Sequence, residues 1–220
     1  MKPINKGIYP RVLGILLLLI SIGPSFSCFA PVFSELQSAR LVGPGNAEIT
    51  PSYSRVEGES EHVQDHFGIQ AGVGIRNWLD FRIRYEYANV GPAEQDNFGV
   101  NMLGFGPKLG LVRNWLAIYL PVGFAFGEDI ESSETWQVHP TLLATLPVSN
   151  HFEINTSAKA LIPLQKGNDP MYAVNFGVAI GSDVRRWAVR PEIGFLFNSC
   201  VGSCLHLSIG LSLSTDFLKR

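Results

Sequence analysis

Residues 68–87 read Gly-Ile-Gln-Ala-Gly-Val-Gly-Ile-Arg-Asn-Trp-Leu-Asp-Phe-Arg-Ile-Arg-Tyr-Glu-Tyr. After the short Arg76-Asn77-Trp78 turn, Leu79, Phe81, Ile83, Tyr85 and Tyr87 alternate with Asp80, Arg82, Arg84 and Glu86. A period of two means a strand with one apolar and one fully charged face. The run before the turn puts Phe67, Ile69, Ala71, Val73 and Ile75 on one face, and His66, Gln70 and glycines on the other. Together they predict a β-hairpin with a bulky apolar side and a polar, small-residue side.

Alternation alone does not say which side faces outward. A soluble barrel hides its apolar face, whereas a membrane barrel shows that face to lipid. The polar face decides. Later runs carry Ala173, Asn175, Gly177, Ala179 and Gly181, then Ser208, Gly210, Ser212 and Ser214 there. Side chains this small suit a crowded lumen, and the Phe, Leu, Ile and Tyr of the other face are too bulky for it. The expected fold is all-β, a ten-stranded up-and-down antiparallel transmembrane β-barrel.

The rest of the chain fits one such domain. It has 220 residues, 46% hydrophobic and 16% charged, with 22 glycines. A net charge of −2 gives no footprint for nucleic acid. Beyond residue 30 no apolar run approaches the ~18 residues of a membrane-spanning helix. At the start, Lys2, Lys6 and Arg11 form a basic segment, Val12 to Ile22 an apolar one, and Ser25-Phe26-Ser27 a small-residue cleavage site before Cys28. This reads as a secretory signal peptide over 1–27. Its removal leaves 14 basic against 19 acidic side chains. Residues 28–45 are expected to be an irregular periplasmic lead-in ending Gly43-Pro44-Gly45, and 46–218 the barrel domain.

Cys28 would become the first mature residue. It is either the lipidated cysteine of a lipoprotein or an unmodified cysteine left by an ordinary cut; Ser25 stands where the lipoprotein motif usually has Leu. Cys200 and Cys204 share a Gly-containing loop, and an exported chain meets an oxidising compartment, so a disulfide is favoured over two free thiols or a metal pair.

Three stretches carry a family resemblance: Cys28-Phe-Ala-Pro, Glu35-Leu36-Gln37-Ser38-Ala39-Arg40, and Gly43-Pro-Gly-Asn-Ala-Glu48-Ile-Thr-Pro-Ser-Tyr53. They resemble the start of small Gram-negative outer-membrane β-barrel proteins that carry a lipoprotein-type signal. The resemblance is to the class and spans the mature chain. It implies Sec export, insertion by the barrel-assembly machinery and residence in the cell outer membrane. It carries over no catalytic motif.

An internal repeat supports the barrel. Arg76-Asn77-Trp78 recurs as Arg113-Asn114-Trp115, weakly as Ser149-Asn150-His151, and as Arg185-Arg186-Trp187, at spacings of 37, 36 and 36. Each period holds two runs of about ten residues, the length of a membrane-barrel strand. The ten strands are expected near 46–56, 63–75, 79–89, 97–111, 115–126, 135–147, 152–164, 171–182, 187–198 and 205–217. At about 3.3 Å per residue and a tilt near 40°, ten residues rise roughly 25 Å, the height of the lipid-facing band. Trp78, Trp115 and Trp187 would then form an aromatic girdle at the turn end. Tyr53, Tyr87, Trp136 and Tyr172 would serve the other interface. Pro121 and Pro140 fall inside proposed strands, and Pro107 lies on the next strand. The three are expected to share a bent patch, since each removes a ladder bond. Pro191 interrupts a fourth strand.

The lumen face holds the candidate site: a charge network of Glu48, Asp80, Arg82, Arg84, Glu86, Glu153, Lys159, Arg190, Glu192 and Asp216. A lone charge in a narrow lumen is costly unless paired or wet, and here acids and bases interleave. A structural polar plug is favoured over a charge-lined pathway, because ten strands are far fewer than a wide porin uses. His62 and His66 lie about 13 Å apart along one strand, too far for one metal. His139 and His206 are expected to point inward. His206 and Ser208 share a face, the one weak hint of a lipid-modifying site. There is no nucleophile elbow, phosphate loop or metal motif, so no catalytic residue, metal or cofactor is expected. The outer loops carry Glu57, Glu59, Glu61, Glu94, Asp96, Glu128, Asp129, Glu131, Glu134 and Asp169. This is a solvated rim in the first instance, and in the second a place for divalent cations between lipopolysaccharide phosphates.

The sequence therefore points to an outer-membrane barrel with a charge-filled lumen, a structural or interaction role and no catalysis, its main partners being outer-membrane lipids. A narrow, porin-like pore for small solutes is the alternative. A lipid-modifying or proteolytic outer-membrane enzyme is the third reading. The signal reading predicts a mature chain that begins at Cys28. Intact mass spectrometry should give the mass of residues 28–220, with or without an acyl increment, and a product retaining residues 1–27 would contradict it.

Overall fold

The computed structural model describes residues 34–57, 63–91, 98–127, 130–198 and 202–215. The signal segment, Cys28, His62, Cys200 and Asp216 lie outside the described residues. The acylation of Cys28, the Cys200–Cys204 bridge and the place of Asp216 in the network lie outside with them.

Twelve strands follow in order: β1 (Ala47–Glu57), β2 (Val63–Arg76), β3 (Leu79–Gly91), β4 (Phe98–Val112), β5 (Leu116–Tyr119), β6 (Val122–Phe126), β7 (Gln137–Val138), β8 (Thr141–Pro147), β9 (Phe152–Pro163), β10 (Met171–Asp183), β11 (Trp187–Asn198) and β12 (Gly202–Ser214). β5 and β6 both pair with β4, and form one wall strand broken at Leu120-Pro121. β8 and β7 both pair with β9, and form another broken at His139-Pro140. The wall is therefore a ten-strand antiparallel barrel in which each strand pairs with its sequence neighbours and β1 closes onto β12, with Ser54 opposite Ser208. Closure removes the edge that an open sheet would leave unpaired.

The breaks have a covalent cause, because proline has no N–H to donate to a ladder. Here the neighbours carry the pairing across: Leu120 N–H donates to the Pro107 carbonyl at 3.0 Å and His139 N–H to the Pro121 carbonyl at 2.9 Å. Three prolines thus share one patch. The bent backbone also comes in close, since a Cβ on Gly106 would lie 2.3 Å from the Leu120 carbonyl oxygen. Pro191 sits in mid-strand, opposite Ile209, with no break in β11.

Parity sorts the side chains. Phe67 is 55% exposed and Ile83 45%, with Phe81, Tyr85, Val174, Phe176, Phe195, Leu207 and Ile209 on the same outer surface. Inward, Arg82, Lys108, Glu153 and His206 are almost wholly buried. The lumen also has an apolar patch that the alternation did not suggest, where Ala117, Tyr119 and Leu143 pack on Ala39.

The largest departure concerns the lead-in, expected in the periplasm. Residues 34–42 lie inside the barrel. Val42 meets Asp80 beside the first turn, and Ser34 meets Ser54 and Arg84 farther along, so the segment runs antiparallel to β1. The physical reason is the lumen itself: buried charges without partners are costly, and the main chain and side chains of this segment supply them. Gly43 (φ 86°) and Gly45 (φ 75°) make the reversal between this segment and β1. At that reversal Pro44 bridges Gly74, and a Cβ on Gly74 would fall 1.7 Å from the Gly43 carbonyl oxygen. Gly74→Ala should therefore cost about 1–3 kcal/mol by forced overpacking. Gly104→Ala, whose Cβ would have only the Val122 carbonyl at 3.9 Å, should be near neutral. Heat-modifiable gel migration over a temperature series reads both. Equal melting of the two variants would contradict this account of the reversal.

Candidate functional site

The site is the lumen and the segment that fills it. β3 supplies Asp80, Arg82, Arg84 and Glu86, all buried and on one face because they alternate with lipid-facing residues. β9 supplies Glu153 and Lys159, β11 supplies Arg190 and Glu192, and β1 supplies Glu48. Arg82 reaches Glu48 at 3.1 Å and Asp80 at 3.8 Å. Arg190 reaches Glu153 at 3.1 Å, and Arg84 pairs with Glu86. Cross-wall pairing accounts for part of the network, and the lead-in accounts for the rest.

Sequence reasoning missed three charges. Lys108 is fully buried on β4, where its Nζ donates to the carbonyls of Ser38 at 2.6 Å and Arg40 at 3.0 Å. Its inward parity with Gly104 and Gly106 was the available signal. Glu35 pairs with Lys159, and Arg40 with Glu153 at 2.9 Å. Both stand in a stretch without periodicity, and nothing in the sequence pattern marks them as lumenal. Counting them, the described lumen holds six carboxylates and six cations. The formal charges of the described lumen therefore cancel.

Main-chain groups of the segment are held by wall side chains. The N–H groups of Glu35 and Leu36 donate to the two carboxylate oxygens of Glu192 at 2.7 and 2.9 Å. The Ala39 N–H donates to Thr145 Oγ1 at 2.7 Å, and the Val42 N–H to Asp80 Oδ2 at 2.8 Å. Arg84 donates to the Ser34 carbonyl as well as to the Ser34 hydroxyl at 2.5 Å. Leu36 has φ 51°, in the left-handed region that costs a non-glycine residue about 1–2 kcal/mol. That conformation accompanies the two successive amides meeting at one carboxylate, and charge-assisted bonds of this kind are the strong ones.

His66, His139 and His206 belong to the same interior, whereas His151 is exposed at a turn, 2.6 Å from the Ser182 carbonyl. His66 Nδ1 lies 3.3 Å from Glu86, and His139 Nε2 3.1 Å from Gln137. His206 bonds Ser208 through Nδ1 and Asn175 through Nε2, both at 2.9 Å, and Asn175 in turn donates to Ser157 at 3.0 Å. All four are buried on the lumen side of the wall, away from the face where a lipid would arrive. Among the described residues no three His, Cys, Asp or Glu side chains converge as a metal site.

Outside, Trp78 is 58% exposed and Trp115 51%, each beside a turn, while Trp187 donates its Nε1–H to Ser182 Oγ at 2.9 Å. Tyr53, Tyr87 and Tyr172 are exposed nearer the loop end, and Trp136 stacks on Phe124 with centroids 4.6 Å apart. Of the acidic rim, Glu57, Glu131, Glu134 and Asp169 are described, and the others lie outside the described residues.

A closed wall that is apolar outside and ion-paired inside defines an outer-membrane-type transmembrane β-barrel. No family model matches the chain, and no curated protein matches it. Among solved structures it is similar to the transport unit of the autotransporter AIDA-I from Escherichia coli, at 12% identity over 91% of this chain and 97% of that one, with a TM-score of 0.43. The translocator domain of autotransporter NalP from Neisseria meningitidis aligns at 8% identity over 93% and 95%, with a TM-score of 0.42. Ail, the attachment invasion locus protein of Yersinia pestis, aligns at 11% identity over 78% and 99%, with a TM-score of 0.36.

The pairing makes a contrast testable. Glu153 carries both the partly buried Arg40 and the buried Arg190, so Glu153→Ala leaves both guanidinium groups without their carboxylate and should cost about 3–5 kcal/mol. The exposed Arg55–Asp65 contact at 3.9 Å should be worth under about 1 kcal/mol when Asp65 is replaced by Asn. Urea unfolding in lipid vesicles measures both, and a Glu153 variant as stable as the Asp65 variant would contradict the lumen assignment.

Proposed function

We propose that this protein is a sealed outer-membrane barrel with a structural or interaction role and no catalysis. One observation carries the reading: residues 34–42 occupy the lumen, and their main chain is bonded to Glu192, Thr145, Asp80, Arg84 and Lys108. An interior filled in this way leaves the outer wall as the working surface. There the girdle of Trp78, Trp115 and Trp187 and the apolar belt meet outer-membrane lipids, as amphipathic rings do at a membrane interface. The acidic rim is read as a solvated edge, with divalent cations and lipopolysaccharide as secondary partners.

The balanced lumen charge weighs against the narrow-pore reading, which would gain from an excess of one sign. The buried Ser208–His206–Asn175 chain weighs against the enzyme reading, since the wall stands between it and lipid. In a planar bilayer the unaltered protein should show no steady conductance. A steady conductance that changes with Arg84→Ala would favour the pore.

A further inference from the structure

We propose that the lumen is a binding site for a peptide segment, which it recognises mainly through the peptide's main chain. The ligand class is a segment of about nine residues, the length of residues 34–42, with an acidic side chain near its start and a basic one five residues later. The chain's own residues 34–42 are the occupant in this structure.

Three observations lead there. The wall is complete without the segment, because all ten wall strands pair around a ring closed by β1 and β12. Residues 34–42 add nothing to that ladder; their attachment to it is the reversal, where Pro44 bridges Gly74 and Gly45 N–H donates to the Gly74 carbonyl at 3.1 Å. The segment is thus a tethered ligand and not a wall element.

The second observation is the kind of group recognised. Wall side chains bond the N–H of Glu35, Leu36, Ala39 and Val42 and the carbonyls of Ser34, Ser38 and Arg40. Every peptide offers such groups, so a lumen built to meet them is complementary to a peptide backbone. Side-chain demands are few. Glu35 meets Lys159, Arg40 meets Glu153, and the Ser34 hydroxyl meets Arg84 and Ser54. The other contacts are small: Ala39 against Ala117, Tyr119 and Leu143, and the side chain of Leu36 close to Gly210.

The third is the tether. A short linker holds its ligand at an effective concentration on the order of millimolar, so the attached segment outcompetes any free peptide of equal affinity present at lower concentration. Severing the tether removes that advantage and opens the site to a peptide supplied in trans.

The experiment follows from this. A protease recognition sequence is inserted between Val42 and Gly43 in the full chain, and the folded protein is cut in detergent. The cut protein is unfolded in urea and refolded into phosphatidylcholine vesicles with excess fluorescent peptide of the sequence of residues 34–42. The expected result is a heat-modifiable barrel carrying one peptide, displaced by unlabelled peptide. A peptide N-methylated at the amides corresponding to Glu35, Leu36 and Ala39 keeps every side chain and should bind at least tenfold more weakly. An unrelated sequence that keeps only the acidic and basic positions should bind within tenfold of the native one. A barrel that refolds in the presence of the peptide and carries none, or that does not refold in its presence, overturns the proposal. So does equal binding of the N-methylated peptide. These outcomes are separate from the sealed-barrel reading. A barrel silent in bilayers that takes no peptide sinks only this inference, and a conducting barrel that takes peptide sinks only the other.

Discussion

Everything in this barrel depends on the fact that a charge enclosed by a strand wall must find a partner inside it. Bulky apolar residues hold the outer face, so ten ionisable wall side chains are turned inward, far from bulk water. The idealised cost of burying one such ion is of order 20 kcal/mol, and several kcal/mol survive relaxation in real proteins. Pairing among wall side chains answers part of this, through Arg82 with Glu48, Arg84 with its neighbour on β3, Glu86, and Arg190 with Glu153. Lys108, Lys159 and Glu192 instead meet groups of residues 34–42. The segment and the wall are one electrostatic unit, although only the wall is continuous by its ladder.

This unit explains local features that otherwise look unrelated. Leu36 keeps a left-handed backbone where two successive amides share the Glu192 carboxylate. Gly43, Gly45 and Gly74 lie together because the chain must reverse tightly to bring the segment back down the lumen it borders. The proline patch at 107, 121 and 140 lies in the wall opposite in character to β3, with fewer ladder bonds and an apolar inner lining that includes Tyr119.

The sequence made the wall legible, and the reason is the period of two. On β3 each inward charge is flanked by outward Phe, Ile or Tyr, so both the strand and its facing can be read from five or six residues. The turn repeat placed the hairpins, and the prolines announced the breaks at Leu120 and His139. Lys108 escaped notice because Gly104, Gly106 and Pro107 blur the alternation around it. Glu35 and Arg40 were illegible for a deeper reason. Nothing periodic distinguishes a polar segment bonded inside a barrel from one lying in water, since many of its contacts are made by main-chain groups that every residue has, and its Glu35 and Arg40 pairs look no different in sequence from solvated charges. Tyr119 and Leu143 face inward by the parity of β5 and β8, where Ala39 of the segment packs on them.

The central claim is that the chain before β1 lies within the lumen, and one pair of positions tests it most directly. The Leu36 Cβ lies 3.5 Å from where a Cβ on Gly210 would stand, within the Cβ–Cβ range of a disulfide. Gly210 sits in the middle of β12, on the inner face of the wall. In a chain whose three native cysteines are replaced by serine, Leu36→Cys with Gly210→Cys should form a cross-link in intact membranes that shifts gel migration until it is reduced. A folded, heat-modifiable barrel in which this pair stays uncrosslinked under oxidation would contradict the account.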